Sequence, residues 1–336
     1  HRAIARYYER GDETRARRRA TRKIIRPVRS PAQWEKRLEM AKIIECVPNI
    51  SSADTSVVTQ IANEVRSTAG VTLLNTSSDQ SHNRSVVTFI GSPEGVEEAA
   101  VRLAKAAARL IDLTKHMGEH PRMGAVDVVP FIPIREATMD ECVAISRRVG
   151  QRVWEEAGIP VFLYEASASA PHRQNLANIR KGQFEGMFEK VRRPEWEPDF
   201  GGRTVHPTAG VAAVGARAPL IAFNINLSTS DKSVADRIAR VVRQSGGGLN
   251  CVKAIGVYLK ERDAAQVSIN MTDYSVTPLY RVVEFVRFEA ARYGVSIVGT
   301  EIVGLVPMRA LIDSAAYYLG IENFDPETQV LEYRLE

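Results

Sequence analysis

The sequence has no long hydrophobic run and few cysteines. No stretch approaches the roughly 20 consecutive apolar residues that a membrane-spanning helix needs, although 44% of the 336 residues are hydrophobic. The basic N-terminus is not followed by an apolar segment, so we expect neither a membrane protein nor a secretory signal. Cys46, Cys142 and Cys251 lie far apart and form no Cys-x-x-Cys pair. We therefore expect reduced thiols in a cytoplasmic protein.

The positive charge is confined to one end of the chain. Of 45 Lys+Arg and 40 Asp+Glu, 13 and 5 lie in residues 1–39, which leaves 32 and 35 in the remainder. We expect residues 1–39 to be a solvated basic extension or sequence upstream of a true start at Met40. The alternative is a nucleic-acid-binding arm, but the cluster Arg15–Arg19 has no interleaved aromatic residues. The body has a net charge of −3, so we expect it not to bind nucleic acid.

The hydrophobic pattern after Met40 shows the same order of elements twice. Residues 40–218 have the pattern β-α-β-β-α-β followed by α-β, and residues 219–336 have β-α-β-β-α-β followed by a helix. This is the ferredoxin-like order. We predict an α/β fold of the α+β type, in which two subdomains pack their sheets face to face with the helices outside. The cleft between the sheets is then the predicted ligand site.

Three expectations concern particular segments. Ser92-Pro93 is typical of a helix start, and the Ala-rich pattern predicts a helix to about Leu113. The polar residues Asn75–Arg84 predict a loop between two strands. The proline- and glycine-rich stretch 166–218 predicts a long, loop-rich crossing, and loops of that length are usually functional.

Titratable residues are concentrated between Thr114 and Gly124. The order His116-Met117-Gly118-Glu119-His120 matches H-x-x-E-H, a zinc-peptidase motif. That motif requires an unbroken helix that places both imidazoles on one face. Gly118 and Pro121 argue against such a helix, so we expect no metal site.

Two other short motifs are coincidental. Asp199-Phe200-Gly201 resembles the kinase triplet, but the other kinase signatures are absent from the sequence. Gly246-Gly247-Gly248 lacks the Lys-Ser/Thr that a phosphate-binding loop requires. What remains is acid–base chemistry by histidine. His120 is one candidate general base, and the loop histidines His82 and His206 are alternatives.

The sequence also contains several longer motifs. They are Glu45-Cys46-Val47-Pro48-Asn49, Asn83-Arg84, Gly118-Glu119-His120-Pro121-Arg122-Met123-Gly124, Asp199-Phe200-Gly201, Gly215-Ala216-Arg217, Leu220–Leu227 and Val303-Gly304-Leu305-Val306-Pro307. These motifs resemble those of glutamate formimidoyltransferase, the transferase half of formimidoyltransferase-cyclodeaminase. The resemblance extends over about residues 40–320, in order and at compatible spacing, and residues 1–39 have no counterpart in it.

The resemblance implies a reaction and a site. A formimino group moves from N-formimino-L-glutamate to N5 of tetrahydrofolate, the co-substrate, giving 5-formiminotetrahydrofolate and L-glutamate in histidine degradation. The resemblance also implies a ligand tunnel between two α/β subdomains, a homodimer, and His120 as the catalytic histidine, whereas His82 does not match that position. The implied folate-binding segment consists of Gly201, Gly202, Arg203, Thr204, Val205, His206, Pro207, Thr208, Ala209 and Gly210.

The implied chemistry suits these residues. A histidine that titrates near neutral pH can take a proton from N5 and return it to the departing amine. Because the donor and the folate tail, including its polyglutamyl form, are carboxylates, Arg122 and Arg84 are candidates for binding them. The alternative function is a folate-binding paralogue without transferase activity, such as a carrier or a regulatory module. Both functions predict folate binding, and only the first predicts turnover.

Overall fold

A computed structural model describes residues 42–118 and 121–334. The basic extension 1–39 lies outside the described residues, as do Glu119 and His120. From Ala41 onward the chain forms one compact unit.

The first half is built on a mixed sheet of seven strands. The strands are β1 (Ile43–Cys46), β2 (Asn49–Ile50), β3 (Val71–Asp79), β4 (Arg84–Gly91), β5 (Val126–Arg135), β6 (Val161–Glu165) and β7 (Ala212–Ala216). Strands β4 and β5 flank the short strands β1 and β2, and β3 pairs with the outer side of β4. Beyond β5 the sheet continues with β7 and then β6. Without β6 and β7 this is the predicted ferredoxin-like order.

Three capped helices cover one face of this sheet. They are α1 (Thr55–Arg66), α2 (Pro93–Leu110) and α3 (Met139–Ala157). The side chains of Asp54 and Ser92 accept the N–H groups of the first turn in α1 and α2, and Thr138 with Glu141 forms a capping box in α3. The apolar stripes of these helices pack against β1, β4, β5 and β7 in one buried core.

The polar segment between β3 and β4 was predicted as a loop from Asn75 to Arg84, and most of it is strand. β3 continues to Asp79, which pairs with Arg84, so only residues 80–83 form the turn. Polar residues can remain in strand here because the outer part of β3 is exposed and its backbone pairs with β4. Asn83 has a φ of 46°, a left-handed conformation that asparagine tolerates.

The segment 166–218 was predicted as a loop-rich crossing, but it contains two helices and a strand. The helices are α4 (Leu176–Arg180) and α5 (Gln183–Lys190), and the strand is β7, parallel to both β5 and β6. The small residues Ala212–Ala216 lack the bulk that normally indicates a strand, and all five are buried. Helix α5 and residues nearby form a second core on the opposite face of the sheet, with Val128, Phe162 and Tyr164.

The second half contains a four-stranded antiparallel sheet. Its strands are β8 (Ile221–Leu227), β9 (Val252–Leu259), β10 (Ala264–Met271) and β11 (Ile297–Val303). They lie in the order β11-β8-β10-β9, the ferredoxin-like order without additions. Helices α6 (Lys232–Val242), α7 (Leu279–Ala291) and α8 (Met308–Leu319) form one core with this sheet, and α9 (Pro326–Gln329) follows. Together the two sheets confirm the predicted α/β class and repeated element order.

The other face of the second sheet is polar. Gln266 Nε2 donates to Asn226 Oδ1 at 2.8 Å, and Asn226 Nδ2 donates to Glu301 Oε1 at 3.3 Å. Gln266 and Asn226 are buried, with exposed fractions of 4% and 8%. Buried amides that bond to each other avoid the cost of unpaired polar groups. An ion pair of 4.0 Å between Lys253 and Glu165 links this sheet to the first half.

Candidate functional site

The loop before His120 leaves helical conformation early. Helix α2 was predicted to reach about Leu113 and ends at Leu110, after which Leu113–Lys115 forms a single 3₁₀ turn and His116 is extended. His116 therefore lies outside a helix. Among residues 42–118 and 121–334 no three His, Cys, Asp or Glu side chains are grouped as metal ligands.

The turn between β3 and β4 fixes this loop. Asn83 Nδ2 donates to the Met117 carbonyl at 2.9 Å, and His116 Nε2 lies 3.0 Å from the Asn83 carbonyl oxygen. A Cβ on Gly118 would lie only 2.6 Å from the His82 carbonyl oxygen, so the close approach of the two backbones requires glycine. The residue two places before His120 is thus held by main-chain contacts.

The segment after His120 is held just as firmly. Phe184 N donates to the Arg122 carbonyl at 2.8 Å, and Met123 N donates to Asp127 Oδ1 at 2.8 Å. Ser51 Oγ donates to the Gly124 carbonyl at 2.7 Å. Both flanks of His120 are therefore anchored, while the position of its imidazole lies outside the described residues.

The predicted folate-binding segment lies directly beside these residues. Ala125 N donates to the Ala209 carbonyl at 2.9 Å, and Val211 N donates to the Met123 carbonyl at 3.0 Å. Leu113 N donates to the Thr208 carbonyl at 2.8 Å on the other side of the loop. The structure thus brings the end of the 201–210 segment to both sides of the loop that contains His120.

Two glycines allow this contact. Gly210 has a φ of 71°, and a Cβ there would lie 2.1 Å from the Met123 carbonyl oxygen. A Cβ on Gly124 would lie 2.1 Å from the Val211 carbonyl oxygen. Real Cβ atoms do not come so close to oxygen, so side chains at either position would separate the two segments.

His206 organises its own segment. Its Nδ1 accepts hydrogen bonds from Ala209 N at 2.9 Å and Thr208 N at 3.3 Å, which requires an unprotonated Nδ1. Burial lowers the pKa of His206, so the neutral form prevails near pH 7. The backbone of His206 also pairs with that of Gly210: His206 N donates to the Gly210 carbonyl, and Gly210 N donates to the His206 carbonyl. These contacts give His206 a structural role within residues 201–210.

The residues just before 201–210 are fixed by an arginine that sequence analysis did not identify. Arg173 donates to Asp199 Oδ2 at 3.0 Å and to the carbonyls of Glu195 and Glu197 at 3.0 and 2.7 Å. Asp199 Oδ2 also accepts from Leu163 N at 2.8 Å. The kinase-like triplet at Asp199 is therefore a structural anchor for the loop.

Beyond that anchor the segment is more open. Gly201 has a φ of 105°, and Thr204 Oγ1 donates to its carbonyl at 2.9 Å. Arg203, Thr204 and Gly202 are exposed, and Arg203 pairs with Glu197 at 2.9 Å.

Arg122 is buried and has an internal partner. Its Nη2 and Nη1 donate to the two carboxylate oxygens of Glu185 at 2.6 and 2.9 Å, a bidentate pair. Nη1 also lies 3.2 Å from Gln183 Oε1, and Nε donates to His116 Nδ1 at 3.2 Å. The bond from Arg122 lowers the pKa of Glu185. A substrate carboxylate would have to compete with Glu185 for this guanidinium.

Arg84 belongs to a different cluster. Its Nε donates to Asn49 Oδ1 at 2.6 Å, and it lies near Arg180, which pairs with Asp127 at 2.5 Å. Burial and the positive charge of Arg180 lower the pKa of Arg84. Sequence reasoning missed both Arg180 and Asp127. The available signal was Asp127 itself, a carboxylate inside the otherwise apolar strand Val126–Phe131.

His82 lies on the exposed turn. Its Nδ1 is 2.8 Å from Asp79 Oδ2, and its backbone N–H donates to Asp79 Oδ1 at 3.0 Å. Both side chains are about half exposed, at 44% and 55%. Asp79 and His82 thereby close the turn that holds Gly118.

Two family models match most of the chain. The model of the formiminotransferase domain, N-terminal subdomain, matches residues 43–217, and that of the formiminotransferase domain matches residues 222–332.

Two relatives match over nearly their whole length. Glutamate formimidoyltransferase of Streptococcus pyogenes serotype M1 is 54% identical over 88% of this chain and 99% of its own. The enzyme of the same name from Thermoplasma acidophilum is 46% identical over 88% and 97%. Formimidoyltransferase-cyclodeaminase of Rattus norvegicus is 43% identical over 88% of this chain and 60% of its own. The chain belongs to the formiminotransferase family.

Proposed function

We propose that this chain transfers the formimino group from N-formimino-L-glutamate to N5 of tetrahydrofolate, giving 5-formiminotetrahydrofolate and L-glutamate in histidine degradation. The names of its relatives support this reaction. The structural observation behind the proposal is the pairing of residues 208–211 with residues 123–125 and Leu113. That pairing puts the segment proposed for folate next to the loop of the proposed catalytic histidine.

His120 acts as general base and then as general acid. N5 of tetrahydrofolate attacks the amidinium carbon of the donor, and a tetrahedral intermediate forms as N5 loses its proton to the imidazole. The same imidazole returns the proton to the nitrogen of glutamate as the carbon–nitrogen bond breaks. Such transfer contributes about 10²–10⁴-fold, and holding pterin and amidine together contributes further through proximity. Tetrahydrofolate is the co-substrate, and the proposed chemistry uses no metal.

Residues 201–210 hold the folate. Support comes from the exposed, glycine-rich start of the segment and from its anchored end. Glycine at 201 and 202 permits a flat ring to approach the backbone closely. We propose the segment as a whole as the folate site.

Arg84 and Arg122 are the proposed partners of substrate carboxylates. Among the described residues, Arg84 has one hydrogen-bond acceptor, Asn49 Oδ1, which leaves most of its donors without a partner there. Arg122 must exchange Glu185 for a substrate oxygen, and Glu185 is able to leave because its side chain is 64% exposed. We therefore propose Arg84 as the more accessible of the two.

We further propose a homodimer in the cytoplasm that binds neither nucleic acid nor a membrane. Among the described residues, no helix combines the length and apolar character needed to cross a bilayer. The edge strand β11 and helix α8 expose a group of large apolar side chains that a second copy would cover. This group consists of Val298, Ile302, Val303, Leu305, Met308, Leu311, Tyr317, Tyr318, Leu319 and Ile321.

The test is an assay of formiminoglutamate and tetrahydrofolate with the wild-type chain and His120→Ala. Turnover should fall by about 10²–10⁴-fold in the variant while tetrahydrofolate binding persists. Unchanged turnover in His120→Ala would contradict the base assignment. Binding of tetrahydrofolate by a wild-type chain without turnover would instead identify a folate-binding paralogue.

A further inference from the structure

A buried carboxylate in the first half pairs with one guanidinium group and has a second nearby. Asp127 is 1% exposed, and its Oδ2 accepts from Arg180 Nη2 at 2.5 Å. Arg84 Nε donates to Asn49 Oδ1, and Asn49 pairs across the sheet with Val128, the neighbour of Asp127. At this position the charge of Arg180 repels Arg84 and that of Asp127 attracts it. Asp79 also attracts Arg84, but its side chain is 55% exposed, so solvent screens its charge. Among the described residues, the less exposed part of the cluster therefore has two guanidinium groups and one carboxylate, Asp127.

The cluster also has a donor without an acceptor. Arg180 Nε is buried and has no hydrogen-bond partner among the described residues. The Arg180 side chain as a whole is 17% exposed. Buried donors are nearly always paired, and a surplus of buried positive charge is costly without an anion. A carboxylate would supply both the missing acceptor and the missing charge, because guanidinium binds carboxylate through two parallel hydrogen bonds.

The position of the cluster indicates which part of a substrate it would bind. Asp127 Oδ1 accepts from Met123 N, three residues after His120. On the other side, Arg84 follows Asn83, which holds the Met117 carbonyl three residues before His120. Arg180 thus pairs with a residue that anchors one flank of the loop at which the reaction is proposed, and Arg84 is adjacent in sequence to a residue that anchors the other flank.

The chemistry of the substrates then selects one carboxylate. In N-formiminoglutamate the α-carboxyl carbon is separated from the reacting carbon only by the nitrogen and Cα. In tetrahydrofolate every carboxylate lies beyond the aminobenzoyl ring, far from N5. A carboxylate site next to the reacting centre therefore suits the donor.

We propose that Arg84 and Arg180 form a clamp for the α-carboxylate of the formimino donor, with Asp127 as the internal counter-ion that orients Arg180. The inference rests on the proposed function and adds Arg180 and Asp127 to its site. Asp127 is a positioning residue, because its oxygens bond to Arg180 and to the Met123 backbone.

The first experiment measures KM for each substrate in Arg180→Met and Arg84→Met. Loss of a hydrogen bond to a charged group should raise the donor KM by about 10- to 100-fold, with the tetrahydrofolate KM unchanged. Arg192→Met is the matched control, since Arg192 is exposed and forms only a long ion pair of 3.8 Å with Glu189. A rise in the tetrahydrofolate KM instead would overturn the proposal by assigning the clamp to the folate tail.

The second experiment changes the ligand. The donor analogue N-formimino-4-aminobutanoate lacks the α-carboxylate and keeps the distal one. Wild type should prefer the true donor in kcat/KM by about 10- to 100-fold, and Arg180→Met should lose that preference. An unchanged preference overturns the proposal, as does a preference lost in Arg122→Met and kept in Arg180→Met.

Arg180→Met leaves the buried carboxylate of Asp127 without its cationic partner and could reduce stability. Arg180→Lys therefore provides a second variant. Lysine keeps the charge and loses the fork, so an intermediate donor KM is expected. Tetrahydrofolate binding verifies that each variant is folded. Wild-type turnover separates the two claims: no turnover rejects the proposed function, whereas turnover with unaltered donor selectivity in folded variants rejects only the clamp.

Discussion

The two halves of the chain share a strand order and differ in what lies on the second face of the sheet. The first half adds β6, β7, α4 and α5, which build a second apolar core on that face. The second half remains a four-stranded sheet, and its corresponding face has a row of hydrogen-bonded amides. The first half thus has an extra layer on this face of its sheet, whereas the corresponding face of the second sheet is polar.

The difference shows how a repeated fold acquires one site. The extra layer contributes the 201–210 segment, Arg180 and Glu185, all of which contact or neighbour the loop around His120. The second half has no equivalent insertion among its described residues, and it contains none of the predicted site residues. The proposed site therefore combines the loop of His120, between α2 and β5 of the repeated frame, with a layer that only the first half adds.

Gly210→Ala, in the first half, should have the largest effect on stability and turnover. Its φ of 71° would cost an L-residue about 1–2 kcal/mol, and the new Cβ would lie 2.1 Å from the Met123 carbonyl oxygen. We expect a total loss of about 3 kcal/mol or more in the free energy of unfolding, together with loss of folate-dependent turnover. Urea unfolding and the transfer assay measure the two effects.

Gly320→Ala in the second half is the matched control. Gly320 has a similar φ of 63°, but nothing lies within 4 Å of a Cβ built there. It should therefore lose only about 1–2 kcal/mol from the backbone conformation. Equal losses in the two variants would show that the contact between Gly210 and Met123 is not essential to the site.

An effect on assembly should come from the second half. Replacement of Leu311 on α8 by glutamate should dissociate the proposed homodimer, because it puts a charge in the exposed apolar group defined above. Leu74→Glu, on an exposed part of β3, should leave the mass unchanged. Light scattering distinguishes the outcomes, and a wild-type monomer would reject the dimer itself.

The smallest expected effect is a pH dependence specific to His206. Burial lowers its pKa from the ordinary value of 6.5, so the unfolded chain binds more protons than the folded chain between the folded pKa and 6.5. The contribution to stability is fully present above pH 6.5 and is lost as the pH falls through the folded pKa. His206→Asn should remove this slope from thermal unfolding midpoints, since asparagine does not titrate, whereas an identical slope in both proteins would contradict the account.

Much of the fold could be predicted from local signals. The helix start at Ser92 was predicted from Ser92-Pro93, and the structure confirms it with a side-chain cap. The repeated element order was predicted from hydrophobic periodicity, and the two sheets confirm it. Strand β7 could not be predicted in the same way, because Ala212–Ala216 is stabilised by neighbours on both sides and not by its own propensity.

The candidate site was predictable only where its residues lie together in sequence. The segment around His120 and the 201–210 segment were identified from motifs, yet their contact joins residues far apart in the chain. The Arg180–Asp127 pair spans 53 positions and the Arg122–Glu185 pair 63. No local pattern encodes such pairs, because both depend on how α4 and α5 pack on the sheet.

The most direct test of the account is the transfer assay on His120→Ala with tetrahydrofolate binding measured in the same protein. The account predicts that turnover falls by about 10²–10⁴-fold, while the affinity for tetrahydrofolate stays at the wild-type value because the 201–210 segment is intact. Turnover at the wild-type rate in a variant that binds tetrahydrofolate normally would contradict it.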